Sequence, residues 1–324
     1  MSKKYKIAIP EMPIDRSELP TWVLEECELL EGEKGQRGGN EVLMKDIADV
    51  DAIIFNSSNN ITPELMQMAP NLKIVFKSGA WPENVDFDYA KSHNIAVGWT
   101  PTANSQSVAE FTVLLMLAAE KKFIHAVESF REGAWRNQSH LGHDLYGKVV
   151  GLVGLGNIAR VVAATLKALG SQVIAYDPYL TDEVFAELGV ERVTFDELLD
   201  KSDIVSIHCL LTDETRHMFN RETFAKMKDS AILVNIARGG MVDEPALIEA
   251  LNSGKLCGAA LDVHAVEPPP MDDPLRSMEN VIMTPHVAAR TYEAAYRECA
   301  WAIMGCLDYL HGRPIHDAKV VYPD

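Results

Sequence analysis

The chain has 324 residues, enough for two domains with sizeable cores. It is 47% hydrophobic and 24% charged, the balance of a soluble globular protein, and its formal net charge of −17 removes the main attraction to phosphate backbones, which argues against nucleic-acid binding. The five cysteines (Cys27, Cys209, Cys257, Cys299 and Cys306) form no CxxC pair and read as reduced thiols of a cytoplasmic protein.

The basic N-terminus, MSKKYKIAIP, reaches a proline after one short apolar run, so it predicts a first strand and no signal peptide. After YKIAI come DAIIF, LKIVFKS and IAVGW, then KVVGLVG, SQVIAYD, DIVSIH, AILVNIA, CGAALDV and NVIMT. These runs are rich in Val, Ile, Leu and Ala with little polar alternation, the pattern of strands buried on both faces. Helical patterns separate them, which predicts an α/β protein with right-handed parallel sheets covered on both sides. The segment SVAEFTVLLMLAAEKK, 107–122, predicts a long helix, apolar almost all round and therefore buried, with a capping box at Ser107 and Glu110. The apolar stretch from Phe111 to Ala119 is too short to span a bilayer, so no membrane segment is expected. A second apolar helix is predicted over 292–310. Two such helices at the ends of one segment imply an inserted domain. Residues 1–100 and 292–324 then form one unit, and residues 101–291 the other.

Gly154-Leu155-Gly156-Asn157-Ile158-Ala159 is a GxGxxA. It follows the strand VVGLV, opens a helical pattern, and is followed by a strand ending in Asp177, about twenty residues past Gly156. In that context Gly154 serves the tight turn, and Gly156 lets the backbone approach a pyrophosphate at the helix N-terminus. Asp177 accepts from the adenosine ribose hydroxyls and repels a 2′-phosphate, which favours NAD over NADP. Three polar groups then follow three later strands: Arg238 after AILVNIA, Glu267 after CGAALDV, and His286 after NVIMT. Taken singly, each has an ordinary reading as a surface pair, a solvated carboxylate or a loop residue. At the carboxyl ends of parallel strands they make a plausible site. Reduction of a 2-keto acid needs a proton donor and a cation for the carboxylate. His286 suits the first role, a neighbouring Glu267 favours its imidazolium, and Arg238 suits the second. No metal site is expected.

These residues lie in VGLVGLGNIA, DIVSIHCLLTDET, NIARGGMVDE, LDVHAVEP, TPHVAA and SGAWPENVD, a series that resembles the D-isomer-specific 2-hydroxyacid dehydrogenase family over nearly the whole chain. The resemblance implies two doubly wound parallel-sheet domains, a Rossmann nucleotide-binding domain inserted in a flavodoxin-like substrate domain, with the active site in the cleft. It also implies a homodimer formed through the nucleotide domain. It places the catalytic arginine, glutamate and histidine on Arg238, Glu267 and His286, and it assigns Asp262 to the nicotinamide carboxamide. Asn157, Ile158, Cys209, Thr215 and Ile236 then line the cofactor path.

Four features depart from the pattern. The substrate loop reads Gly79-Ala80-Trp81 where glycine-any-glycine is usual, leaving the N–H groups of Ala80 and Trp81 to bind the substrate carboxylate. Asn56 stands where the phosphoglycerate-oxidising branch carries arginine. The usual proline after the position of Cys209 is Leu210. Arg290 occupies a position usually small or aromatic, either as a surface cation or as a substrate contact. The expected activity is NAD-dependent hydride transfer at C2 of a small polar 2-hydroxy or 2-keto acid, first as a hydroxypyruvate or glyoxylate reductase. The alternatives are a D-3-phosphoglycerate dehydrogenase and, from another class, an NAD-sensing corepressor or scaffold. A formate-type enzyme is disfavoured by the glutamate at 267.

Overall fold

The computed structural model describes residues 4–10, 12–32, 47–315, 318–321 and 323. The chain divides into two compact units, Met1–Gln106 with Arg290–Asp324, and Ser107–Ala289.

The first unit is built on strands β1 (Tyr5–Ile9), β2 (Cys27–Glu31), β3 (Ala52–Phe55), β4 (Ile74–Lys77), β5 (Ala96–Trp99) and β13 (Lys319–Val321). They lie in the order β13-β5-β4-β3-β1-β2, all parallel except β13, which runs antiparallel to β5. Leaving out β13, this is the flavodoxin-like order. Alternate residues of each strand enter separate cores. Ile7, Ile54, Ile74 and Phe76 pack with Cys299, Ile303 and Leu307 of the helix Tyr292–His311. Ile53, Phe55 and Val75 pack with Leu65, Met66 and Ala90 of the short helices on the opposite face. Burial on both faces is why these strands read as unbroken apolar runs.

The second unit contains β6 (Val149–Val153), β7 (Gln172–Tyr176), β8 (Glu191–Arg192), β9 (Ile204–Ile207), β10 (Ala231–Asn235), β11 (Leu256–Leu261) and β12 (Val281–Met283). Their order, β12-β11-β10-β9-β6-β7-β8, is wholly parallel and is the Rossmann order extended by one strand. Val150, Leu152 and Val234 pack under the helices Ser105–Glu120 and Asn157–Ala168, while Val205, Ile207 and Leu233 meet helices on the other side. Among the described residues no helix is long and apolar enough to cross a membrane.

All ten expected strands are present. Three strands were not legible in advance. β2 reads CELLE and alternates buried with exposed positions, β8 is two exposed residues, and β13 is short; each lies at a sheet edge, where only part of the strand is covered. The long helix begins at Ser105, two residues earlier than expected, so Ser107 lies inside its first turn and is not its N-cap. That helix is also not buried all round. Its sheet-facing side is buried at Val108, Val113 and Met116, but Leu114 on the opposite side is 52% exposed.

Two glycines of the first unit pack closely against Phe76. A Cβ on Gly98 would fall 2.4 Å from its ring, and one on Gly305 would fall 2.6 Å from it. Gly98→Ala is expected to cost about 1–3 kcal/mol through overpacking, with partial recovery in Gly98→Ala/Phe76→Leu; urea unfolding of the two proteins decides it.

Candidate active site

The glycine-rich loop leaves β6 at Gly154. Its φ of +94° is one that residues with side chains rarely adopt, and a Cβ there would sit 2.9 Å from the Cys209 nitrogen. The loop therefore presses against the segment following β9. Gly156 then caps the helix Asn157–Ala168 in extended geometry with no side-chain hydrogen bond, and a Cβ on it would meet nothing within 4 Å. A long helix thus presents its positive end over open space, the arrangement that binds phosphate. Ala159 is fully buried in the core beneath it.

Asp177, just past β7, ties the two strand ends together: its carboxylate accepts from the Leu155 N–H at 3.0 Å and from the Tyr179 N–H at 3.0 Å. Each oxygen retains a lone pair for a further donor. Asn157 and Ile158 open the helix, Asn157 exposed and Ile158 half-buried. The Thr215 hydroxyl donates to the Leu210 carbonyl at 2.7 Å and folds the turn that carries Cys209. The Cys209 sulfur lies 3.8 Å from that of Met241, and burial pushes the thiol up to about 11, so it stays neutral. Ile236 is buried at the end of β10. His208 went unassigned in the sequence. One ring nitrogen is 2.8 Å from the Ser206 hydroxyl, and burial drives its pKa down to about 3, which makes it a neutral packing group.

The polar trio occupies the ends of three adjacent strands, β10, β11 and β12. Arg238 follows β10. Its carbonyl accepts from the buried Asn235 carboxamide at 3.0 Å, and its guanidinium donates to the Ala237 carbonyl at 2.8 Å. A Cβ on the next residue, Gly239, would lie 2.0 Å from the His264 carbonyl, so only glycine allows this backbone to reach the end of β11. There Glu267 accepts the His264 N–H at 3.1 Å with one oxygen, and its other oxygen lies 2.8 Å from His286 Nδ1.

β12 stops at Met283, one residue sooner than expected. His286 has φ +53°, left-handed backbone for a residue with a side chain. Asp262, fully buried, holds that conformation. Its carboxylate accepts from the Thr284 hydroxyl at 2.6 Å, the Val287 N–H at 2.9 Å and the Ala288 N–H at 2.9 Å. The hydrogen bond that His286 donates to Glu267 raises the pKa of His286 despite the opposing effect of burial; the charges of Glu267 and Asp262 add to the rise, and that of Arg238 opposes it. For Glu267 burial works upward, but the bonds from His286 and His264 prevail and lower its pKa. With Nδ1 engaged, the second ring nitrogen, Nε2, is left to exchange a proton with a solute, from a side chain that is 47% exposed.

His264 went unassigned as well. Its ring lies 2.9 Å from the Thr284 carbonyl while its backbone holds Glu267, so one buried residue braces both partners of the pair. Its position inside LDVHAVEP, between Asp262 and Glu267, is the only signal the sequence carries.

The other candidate residues lie in the first unit, at the carboxyl ends of β3 and β4. Asn56 accepts the Ser58 N–H at 2.8 Å through its amide oxygen. The loop Gly79-Ala80-Trp81 is pinned by Thr100, whose hydroxyl accepts the Gly79 N–H at 2.9 Å. Among the described residues the Ala80 and Trp81 N–H groups have no acceptor. The Trp81 indole stacks on Phe87 with centroids 5.6 Å apart and meets the edge of Trp99 at 5.0 Å. Lys77 is buried, with its ammonium 2.7 Å from Glu83 and 3.0 Å from the Trp81 carbonyl.

This geometry can be set beside known proteins. Residues 113–288 match the family model for the NAD-binding domain of D-isomer specific 2-hydroxyacid dehydrogenases. The chain is 44% identical to the hydroxypyruvate reductase of Thermotoga maritima over 79% of its own length and 83% of that protein's. It is 40% identical to the D-3-phosphoglycerate dehydrogenase of Archaeoglobus fulgidus over 86% of its length, but it spans only about half, 53%, of that relative. Among solved structures, a glyoxylate reductase from Paecilomyes thermophila superposes with a TM-score of 0.83 at 30% identity, covering 96% of each chain. The uncapped helix, the glycine turn and Asp177 fit the dinucleotide that the family model names. The chain therefore belongs to the D-isomer specific 2-hydroxyacid dehydrogenase family and carries its NAD-binding domain.

Proposed function

We propose that the chain is an NAD-dependent oxidoreductase that interconverts a small polar D-2-hydroxy acid and its 2-keto acid. The observation that carries this reading is the His286–Glu267 pair at 2.8 Å, next to Arg238 on the neighbouring strand end. Arg238 grips the substrate carboxylate, and in the first unit the N–H groups of Ala80 and Trp81 are assigned to substrate. His286 Nε2 gives a proton to the carbonyl oxygen in reduction and removes it in oxidation, while Glu267 stabilises the imidazolium. NADH, when bound, supplies the hydride to C2, and NAD accepts it in the reverse direction. Gly154, Gly156, Asn157, Ile158, Cys209, Thr215 and Ile236 flank the dinucleotide, and Asp177 takes the adenosine ribose. Asp262, assigned to the nicotinamide carboxamide, also fixes the turn that presents His286 through three donors.

Hydroxypyruvate or glyoxylate reduction is our first assignment. D-3-phosphoglycerate oxidation is the second, favoured by the names of several relatives. Asn56 brings an amide where a phosphate calls for a cation, and Lys77 is already committed to Glu83. We place the protein in the cytoplasm, in keeping with its free cysteines. We also assign it as a homodimer through the nucleotide-binding unit. Leu114, Phe123, Phe130, Trp135 and Leu141 of that unit are all exposed, an apolar set suited to burial against a second copy. Sedimentation of the wild type as a dimer, and of Trp135→Glu with a weakened dimer, is the expected result; a monomeric wild type rejects the assignment.

His286→Asn is expected to retain NADH binding and lose at least about a hundredfold in kcat with glyoxylate or hydroxypyruvate. Near-normal turnover would falsify the proton role. Because its raised pKa keeps the imidazolium present to higher pH, reduction persists until the pH rises through that value. Glu267→Gln removes the main cause of the rise, so the alkaline limb of the reductive pH profile is expected at lower pH in that variant. Superimposable profiles would remove Glu267 from the mechanism.

A further inference from the structure

One carboxylate near the Gly79–Trp81 loop is not used by this mechanism. Glu298 lies in the helix Tyr292–His311, and one of its oxygens sits 3.4 Å from where a Cβ on Gly79 would be. The same oxygen accepts the Asn104 carboxamide N–H at 2.8 Å. The residue is half-buried, neither sealed in the core nor loose on the surface. Three cations are near enough to pull on its charge, Arg290, Arg297 and Lys77. Lys77 is bonded to Glu83 and the Trp81 carbonyl, and Arg297 donates to the Ala103 carbonyl at 2.6 Å. Among the described residues none of them forms an ion pair with Glu298. Burial pushes the carboxyl up to about 7, against the Asn104 hydrogen bond and those cations, so at neutral pH it is divided between its neutral and ionised forms while poorly solvated. A carboxylate in that condition, given one neutral donor by the protein, is stabilised by any further donor a ligand brings.

We propose that Glu298, braced by Asn104, is a specificity-determining residue that reads the tail of the substrate, accepting a hydroxyl or ammonium group on C3 and rejecting phosphate. The inference rests on the proposed activity and on the reading of Gly79–Trp81 as the substrate loop, and it extends both. Carboxylate binding by the Ala80 and Trp81 N–H groups brings the substrate to the loop whose first residue Glu298 adjoins. A tail that donates hydrogen bonds to Glu298 gains a charge-assisted contact, whereas a phosphate meets like charge at close range. Asn56 acts in the same direction, since an amide does not neutralise a phosphate.

A matched series on one three-carbon skeleton tests this: D-lactate, D-glycerate, D-isoserine and D-3-phosphoglycerate, which carry methyl, hydroxyl, ammonium and phosphate tails. Oxidation with NAD gives kcat/KM for each, and calorimetry gives each dissociation constant on the NADH-loaded protein, where no oxidation occurs. The wild type is expected to favour D-glycerate and D-isoserine over D-lactate, with D-3-phosphoglycerate last. In Glu298→Gln the D-isoserine to D-lactate ratio of kcat/KM should fall at least about tenfold, with the loss in KM, while the D-3-phosphoglycerate to D-lactate ratio rises. The calorimetric ratios should move in parallel. Asn104→Ala, which removes the brace, should shift the same ratios in the same direction by less. Ratios within about twofold of wild type in Glu298→Gln, or a wild type that prefers the phosphate tail, overturn the proposal. If the wild type oxidises D-lactate and D-glycerate but the ratios do not move, the tail-reading role alone falls. If it oxidises none of the four, the activity falls and the role with it.

Discussion

The arrangement around His286 depends on the buried carboxylate of Asp262. A residue with a Cβ in left-handed backbone costs on the order of 1–3 kcal/mol, so His286 holds φ +53° only because its surroundings over-determine it. Three donors converge on Asp262, one from Thr284 before the turn and two from Val287 and Ala288 after it. Charge-assisted bonds of this kind are about twice as strong as neutral ones, and in a fully buried setting each lost bond leaves an unsatisfied group. The clamp therefore offsets the backbone strain, and the imidazole points where Glu267 meets it. His264 adds a second brace, with its ring on the Thr284 carbonyl and its backbone on Glu267.

Bringing three side chains to one edge also required a backbone solution. β10, β11 and β12 are adjacent and parallel, so their carboxyl ends lie side by side by construction. Neighbouring strands are about 5 Å apart, however, and the loops that follow must also share that space. Gly239 meets this limit by passing so close to His264 that no side chain fits between them. Gly154 does the same against Cys209 at the nucleotide end. In both places the glycine serves a functional loop by letting two backbones approach.

The strands of both sheets were legible in the sequence because burial on two faces removes polar alternation, and that signal is local. The edge strands β2, β8 and β13 were not, since they are only partly covered and Glu28, Glu191 and Lys319 dilute the pattern. Arg238, Glu267, His286, Gly154, Gly156 and Asp177 were legible because each follows a recognisable strand in a short motif. His264 and Glu298 were not. His264 has only its place inside LDVHAVEP and Glu298 has no local signal, and their contacts are made across long separations, 20 residues to Thr284 in one case and 194 to Asn104 in the other. The expected cap at Ser107 failed for the opposite reason. A four-residue pattern matched, but the chain had already turned helical at Ser105.

Asp262, Glu267 and Glu298 differ in what the protein gives them. Asp262 receives three donors, is sealed from solvent and clamps the turn at His286. Glu267 receives one backbone N–H and an imidazole that can itself carry the proton, so lowering its own pKa and raising that of His286 are two sides of one interaction. Glu298 receives a single amide in a half-buried setting, and there burial wins and its pKa rises. The same functional group is thus made a clamp, a proton partner or an acceptor by the number and kind of donors around it. Glu298 retains acceptor capacity, and it adjoins the loop whose two N–H groups also lack an acceptor among the described residues.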